Sequence, residues 1–490
     1  MRVVWMAGLF GAVLLIGCRK AWIESSPIND PPETQLWADT IARSGMHRLP
    51  TKVTLYWYGT DPDGFITGYQ WAIDDTPQWH FTTATDTTIL FQLPEGSDTA
   101  DIIFWVRSID NKGAIDPSPA RLRLPFRNSP PSVRFVYPRP DANEKARYPS
   151  STFPVLVLSW EADDPDGIQQ IDSFRIYLNS MDEPYVSVPA GVNQITLEAV
   201  NPTSSRTTCR IYFGNEETPT QGGVLTMRLN DTNQAIIVAV DAVGAVSPPD
   251  TSRSVFLWRI TRPYLWVNGY TSSYDYYDNW WLDRLHRQGL SQIPILRLTE
   301  HQNNYYLHLQ PTNFAQALVF RMFDYIFWAG NDAEFSLSLV QKSLVPFLNK
   351  GGKIFQALPF AYDADPRAGY FEIMPLDSLV ESNGTFTLAK DSSVIPLVNG
   401  WPALRAAKII SSARPFHPHP QATPLYNARL VTIKDFQTRS WNGIAYVIAQ
   451  RHYPSGAHYI FSTILPDHLN GNGNIDSFFQ RIIHVEFQIP

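Results

Sequence analysis

Carboxylates recur in this 490-residue sequence in a form that suits a hard cation. Asp61 and Asp63 stand in Asp61-Pro62-Asp63-Gly64, and Asp163, Asp164 and Asp166 stand in Asp163-Asp164-Pro165-Asp166-Gly167. Carboxylate oxygens gathered in a turn are the ligands calcium takes, which makes Asp61, Asp63, Asp164 and Asp166 the calcium candidates. The long Asp-rich loop and terminal Glu of a dedicated site are missing. Asp and Gly are also what a tight turn needs for its own backbone geometry, so a structural role outweighs the metal role at both places.

A second candidate is aromatic. Tyr270, Tyr274, Tyr276, Tyr277, Trp280 and Trp281 crowd one short stretch, with Asp275, Asp278 and Asn279 among them. Flat rings beside polar groups suit a sugar or a peptide; rings that merely cover a sheet are the plainer expectation. Asp332 joins this ligand-binding set, and Asp324 and Asp332 flank an apolar run where each would serve as a base or, more simply, as a cap. His417-Pro418-His419 invites a metal reading with His452 and His458, but the prolines keep the first two rings extended and diverging. Cys209, in Thr-Cys-Arg-Ile-Tyr, reads as a buried inert thiol and not a nucleophile. No residue stands out as catalytic.

The other cysteine carries more information. After Arg2, an apolar run from Val3 to Ile16 closes on Leu15-Ile16-Gly17-Cys18. A run so short, ending in a small residue, reads as a secretory signal and not a membrane span. Leu-x-Gly-Cys at its end resembles the bacterial lipobox. The resemblance implies cleavage before Cys18, lipidation of its thiol and a membrane partner reached through acyl chains. Arg19 is not the Asp that retains such lipoproteins at the inner membrane, so the expected address is the cell envelope, at the outer membrane of a Gram-negative bacterium. Residues 1–18 are then the signal peptide and 19–30 a polar, Pro-bearing tether.

These pieces need folded elements to hold them. The length exceeds one core, and 13% aromatic with 17% charged residues fits an ordered chain. The formal net charge is −7 with no Lys/Arg block, which argues against nucleic acid as a partner. With Cys18 assigned to lipid, Cys209 has no partner for an intramolecular disulfide. Short alternating strands (Val53, Leu55, Trp57; Tyr69, Trp71, Ile73; Ile102, Phe104, Val106) separated by Pro/Gly/Asp turns predict a β-sandwich.

That pattern repeats. Leu55-x-Trp57-x-x-x-Asp61-Pro62-Asp63-Gly64 returns at Leu158-x-Trp160-x-x-x-Asp164-Pro165-Asp166-Gly167, 103 residues on. Asp110-x-x-Gly113-Ala114-Ile115-x-Pro117 returns at Asp241-x-x-Gly244-Ala245-Val246-x-Pro248, 131 residues on. Two tandem sandwiches follow, 31–127 and 128–261, the second carrying about 28 extra residues, expected around Asn179 to Gly223. Both resemble the fibronectin type III or immunoglobulin-like modules of bacterial surface lipoproteins.

Beyond Pro263 the grammar changes. Leu265-Trp266-Val267 predicts a strand, Asn279 to Gly289 a helix, Ile293 to Leu298 a strand and Phe323 to Gly330 a buried strand. Phe335, Leu339, Val340, Leu344, Phe347 and Leu348 share a helical face that ends at Gly351-Gly352, and Lys353 to Leu358 returns as a strand. This is a βαβ unit of a parallel sheet. Gly443 to Ala449 and Ala457 to Ile464 predict a hairpin, followed by a helix with Ile475, Phe479, Ile482 and Ile483. The region 262–490 resembles the class I glutamine amidotransferase-like, flavodoxin-type α/β fold, with a largely parallel sheet. Enzymes of that family place a Cys at a sharp turn after the strand that follows the Gly-Gly. Here the turn reads Leu358-Pro359-Phe360, so the resemblance implies a fold without the family's nucleophile. The expected whole is multidomain: a lipid-anchored scaffold holding out a non-catalytic domain that binds a protein or glycan. No cofactor is expected, and calcium at the Asp turns is the one candidate. The competing expectation is a hydrolase of envelope or extracellular glycans or peptides, with its site at the strand ends of 262–490.

Overall fold

A computed structural model describes residues 29–38, 49, 51–74, 78–91, 99–137, 150–220, 225–298, 310–360, 368–411 and 413–490. Cys18 and its leader lie outside the described residues. The chain divides between Ser129 and Pro130 into two compact units.

The first unit is a seven-stranded sandwich: β1 Glu33–Ala38, β2 Lys52–Thr60, β3 Ile66–Ile73, β4 His80–Thr82, β5 Asp86–Leu90, β6 Thr99–Asp110 and β7 Ala120–Arg127. One sheet has the order β1-β2-β5 and the other β4-β3-β6-β7. This three-plus-four pairing is that of a fibronectin type III-like module. Alternation drives it: Val53, Leu55 and Trp57 of β2 point inward to meet Phe104 and Val106 of β6, while the residues between them face out.

The second unit begins with the same plan. Its strands are β8 Ser132–Tyr137, β9 Ser151–Thr152, β10 Val155–Asp163, β11 Ile171–Leu178, β12 Tyr185–Pro189 and β13 Gln194–Ala199. They continue as β14 Arg206–Phe213, β15 Thr226–Arg228, β16 Asp231–Asn233, β17 Ala235–Asp241, β18 Asp250–Thr251 and β19 Val255–Leu257. The orders are β15-β14-β13-β10-β8 and β12-β11-β17-β18, with β16-β19-β9 as a small third sheet. Buried Leu158 and Trp160 in β10 repeat Leu55 and Trp57. The extra residues lie between β13 and β17: β14 falls within the expected 179–223 and β15 just beyond it. They add β14 and β15 to the edge of a sheet that, in the first module, stops at the counterpart of β13.

The rest of the second unit is built on a nine-stranded sheet. Its first elements are β20 Tyr264–Gly269, α1 Tyr274–Arg287, β21 Ile295–Arg297, α2 Asn313–Arg321, β22 Tyr325–Gly330, α3 Ala333–Ser343, α4 Val345–Asn349 and β23 Lys353–Ala357. The order runs β21-β20-β22-β23, then strand His458–Ser462, with every neighbouring pair parallel. Strand Tyr446–His452 pairs antiparallel with His458–Ser462, and the sheet continues through further antiparallel strands. Successive side chains alternate between two cores. Trp266, Phe327 and Phe355 face α1 and the late helix Ile475–Gln480. Leu265, Val267, Ile326 and Trp328 face α2, α3 and α4.

No division into units falls at the expected boundary near residue 262. Phe153, Val155, Val157 and Tyr212 of the second sandwich share the core of α2, β22 and α4. Glu198 of β13 accepts from Arg321 of α2 at 2.7 Å and from the Tyr212 hydroxyl of β14 at 2.7 Å. Tyr212 meets Phe314 edge to face with ring centroids 5.0 Å apart. β10, β13 and β14 of the second sandwich thus pack jointly onto α2 and the sheet beside it.

Candidate functional site at the strand ends

In an open sheet with the strand order 2-1-3-4-5, ligands enter where the order reverses, outside the carboxyl ends of the first and third strands. Here that is the β20/β22 boundary. Gly269 and Gly330 end these strands in register. A Cβ on Gly330 would stand 2.4 Å from the Gly269 carbonyl oxygen, so the strand ends abut only because no side chain intervenes. Beyond them, the Asn331 side chain accepts from the Thr271 backbone N–H at 2.8 Å, closing the gap.

The aromatic stretch lies along this edge, but most of it belongs to α1 and not to a loop. The helix starts at Tyr274, five residues before the expected Asn279. Its buried face holds Asp278, Trp281 and Leu285. Tyr270 is fully buried and stacks on Tyr277 with centroids 3.5 Å apart; Trp281, equally buried, stacks on Trp266 at 4.5 Å. Burial drives the Tyr270 hydroxyl far above its ordinary pKa. These two rings are core, which corrects their reading as ligand contacts. The Tyr274 hydroxyl donates to the Thr271 carbonyl at 2.7 Å, and Trp280 stands 5.3 Å from the Arg284 guanidinium. Tyr276, 59% exposed, is the member of the set that faces solvent.

The acidic neighbours are structural. Asp278 accepts from the Trp266 indole and the Asn268 amide at 2.7 Å each, and from Arg297 at 2.9 and 2.5 Å. One buried carboxylate therefore ties β20, α1 and β21 together. Arg297 also pairs with Asp275 at 2.7 Å. Sequence reasoning missed Arg297, although a charge inside Ile-Leu-Arg-Leu was the available signal. Asp332 caps α3, accepting from the Phe335 N–H at 3.1 Å, and Asp324 pairs with Lys350 at 2.8 Å. The turn after β23 is apolar, with Leu358 and Phe360 buried.

One unabsorbed pair sits at the same edge. The short turn Pro466–His468 follows strand His458–Ser462. Asp467 Oδ2 lies 3.3 Å from His468 Nε2 and 4.0 Å from Lys408 Nζ. Asp467 Oδ1 and His468 Nδ1 are buried with no partner among the described residues. Burial raises the Asp467 carboxyl to about 6 and, helped by Lys408, lowers the His468 imidazole to about 4. At neutral pH the acid is charged and the ring neutral. A Pro-Asp-His turn looks like any loop in the sequence, and only burial distinguishes it.

The Asp turns resolve differently in the two sandwiches. Asp61 Oδ1 accepts from the Asp63 N–H at 3.2 Å, and Asp164 Oδ1 from the Asp166 N–H at 2.8 Å. These are backbone-bridging turns. Asp63 also binds Lys112 at 2.5 Å, which lowers its pKa. Among the described residues no three His, Cys, Asp or Glu are grouped closely enough to hold a metal ion. His452 and His458 stack at 3.9 Å, and burial pushes the His458 imidazole down to about 3, while His417 is exposed in another strand. Burial raises the Cys209 thiol to about 12, far from a reactive thiolate. Among the described residues no helix is long and apolar enough to cross a membrane.

No family model matches the chain, and no curated protein does. Solved structures similar in part include a two-domain fibronectin type III segment of chicken tenascin, at 13% identity over 46% of this chain and 98% of that one, TM-score 0.19. The fibronectin(III)-like modules of Clostridium thermocellum CbhA match at 12% identity over 46% and 94%, TM-score 0.16. The PKD1 domain of Vibrio anguillarum Epp matches at 16% identity over 20% and 95%, TM-score 0.14.

Proposed function

We propose that this is a lipid-anchored cell-envelope protein, held at the outer membrane through Cys18, in which two β-sandwiches hold out a non-catalytic domain that binds a polymer or a protein. In this reading residues 262–490 have the amidotransferase-like, flavodoxin-type fold and have lost its nucleophile. The observation that carries it is the filled strand-end edge, where Tyr270, Tyr277 and Trp281 occupy the place of a ligand and Leu358 and Phe360 that of a reactive side chain. Alkynyl-palmitate labelling of the full chain in a Gram-negative host tests the anchor: the wild type takes the label and Cys18→Ala does not. Equal labelling of both, or of neither, overturns it.

A second reading, an envelope glycan or peptide hydrolase, is favoured by the Asp467–His468 pair alone. A carboxylate 3.3 Å from an imidazole whose other nitrogen has no partner among the described residues is an arrangement that acid–base sites use. Release of reducing ends or amines from cell-wall material by the full chain, lost in His468→Ala, supports it; no release sinks it.

A further inference from the structure

A large unfilled space lies away from the strand ends. It is a groove of about 1170 Å³ on the opposite face of the parallel sheet, walled by α2, α3 and α4 and by the loop after β14 of the second sandwich. Carboxamides dominate its polar lining: Asn215 from the sandwich, Gln310, Asn313 and Gln316 around α2, and Asn349 from α4. Asn215, Asn313 and Asn349 are exposed. Gln310 is engaged, donating to Thr152 Oγ1 at 2.6 Å and so closing the floor between sandwich and helix.

Gln316 is the informative member. It is 1% exposed, its Oε1 accepts from the Gln310 N–H at 3.1 Å, and its Nε2 has no acceptor among the described residues. A buried amide donor without an acceptor is destabilising, and an incoming acceptor relieves it. Phe335, 42% exposed, stands on the α3 wall as a flat apolar face. The charges nearly cancel. Arg321 is held by Glu198 and Lys350 by Asp324, leaving Lys342 against Glu217.

Carboxamides donate and accept at once, matching vicinal hydroxyls that do the same, and carry no charge to select an ion. An aromatic face beside them takes the apolar face of a sugar ring. We infer that this groove binds a neutral oligosaccharide, with Gln316, Asn313 and Asn349 hydrogen-bonding its hydroxyls and Phe335 stacking on a ring. The inference deepens the binding role proposed above and rests on it; the anchor at Cys18 is independent of it.

Calorimetric titration of the full chain in detergent with chitohexaose, cellohexaose and hexagalacturonate tests it. At least one neutral hexaose should bind saturably, and the acidic one at least tenfold more weakly. Asn313→Ala with Asn349→Ala, both on exposed positions and harmless to folding, should weaken binding tenfold or more, as should Phe335→Ala. Gln316→Ala should do the same if it melts like the wild type. Binding by neither neutral hexaose, or tighter binding of hexagalacturonate, overturns the inference. Binding unchanged in the Asn313/Asn349 variant overturns the groove while leaving a binding role for the protein intact.

Discussion

The two β-sandwiches start from one plan and end in different circumstances. Their matching turns superimpose in detail. Asp110 Oδ1 accepts from the N–H groups of Lys112 and Ala114 at 2.8 Å each, and Asp241 Oδ1 from those of Val243 and Ala245 at 3.1 and 2.7 Å. Gly113 and Gly244 take φ of 87° and 90°, a conformation that favours glycine. Yet the first sandwich is a compact unit by itself, and the second is one unit with the nine-stranded sheet. The difference comes from the packing of α2 against β10, β13 and β14, through Val155, Val157, Tyr212 and the Glu198–Arg321 pair. A repeated module becomes the foundation of a larger unit when one of its sheets takes up a helix.

Breaking that foundation has the largest expected effect. Glu198→Ala removes the acceptor for both Arg321 and the buried Tyr212 hydroxyl, at a cost of about 3 kcal/mol. Calorimetric melting should show the transition of residues 130–490 shifting down or splitting, with that of residues 29–129 unchanged. A shift in the first sandwich would mean that the two units are not separate.

The turns differ in two charges, Lys112 against Val243 and Thr60 against Asp163, which gives two smaller tests. Lys112 binds Asp63 in the first module, and Val243 holds its place in the second. There, burial and the neighbouring acids Asp166, Asp241 and Asp163 raise the Asp164 carboxyl to about 6 against an ordinary 3.8. The native state therefore holds a proton that the unfolded chain releases, and stability falls as pH rises from about 4 to 6. Asp164→Asn keeps the Oδ1 acceptor and removes the charge. It should stabilise the second unit by about 1 kcal/mol at pH 7 and by nothing at pH 4, read from melting curves at both values. A gain equal at both pH values would show that the carboxylate charge is not the cause. The smallest effect is expected from Lys112→Val, which makes the first turn like the second. By NMR titration the Asp63 pKa should rise toward its ordinary 3.8, and an unchanged value would remove Lys112 from the account.

Legibility followed sequence distance. Leu55-x-Trp57 and Leu158-x-Trp160 announce buried strand faces because alternation is a local property, and the offset from 103 to 131 residues located an insertion somewhere between the repeats. Where the insertion pairs was not readable, because β14 joins β13 by hydrogen bonds that no spacing encodes. The sequence predicts helix α1 only from Asn279, because the rings and acids of Tyr274 to Asp278 break the apolar stripe. Asp278, which looks like a solvated helix residue, is buried because Trp266, Asn268 and Arg297 all reach it. Asp467 and His468 were passed over for the converse reason: burial makes them interesting, and a Pro-Asp-His turn carries no sign of burial.

The sequence by itself determined the periodicities: which faces are apolar, where turns must fall, and that one module occurs twice. Each depends on residues within a few positions of one another. Tertiary structure alone decided that the second sandwich and the sheet form one unit, that Tyr270 and Trp281 are core, and that a carboxamide-lined groove opens beside α2. Those outcomes depend on which surfaces meet across a hundred residues or more, and the free energy of that meeting belongs to the pair of surfaces and to neither segment alone.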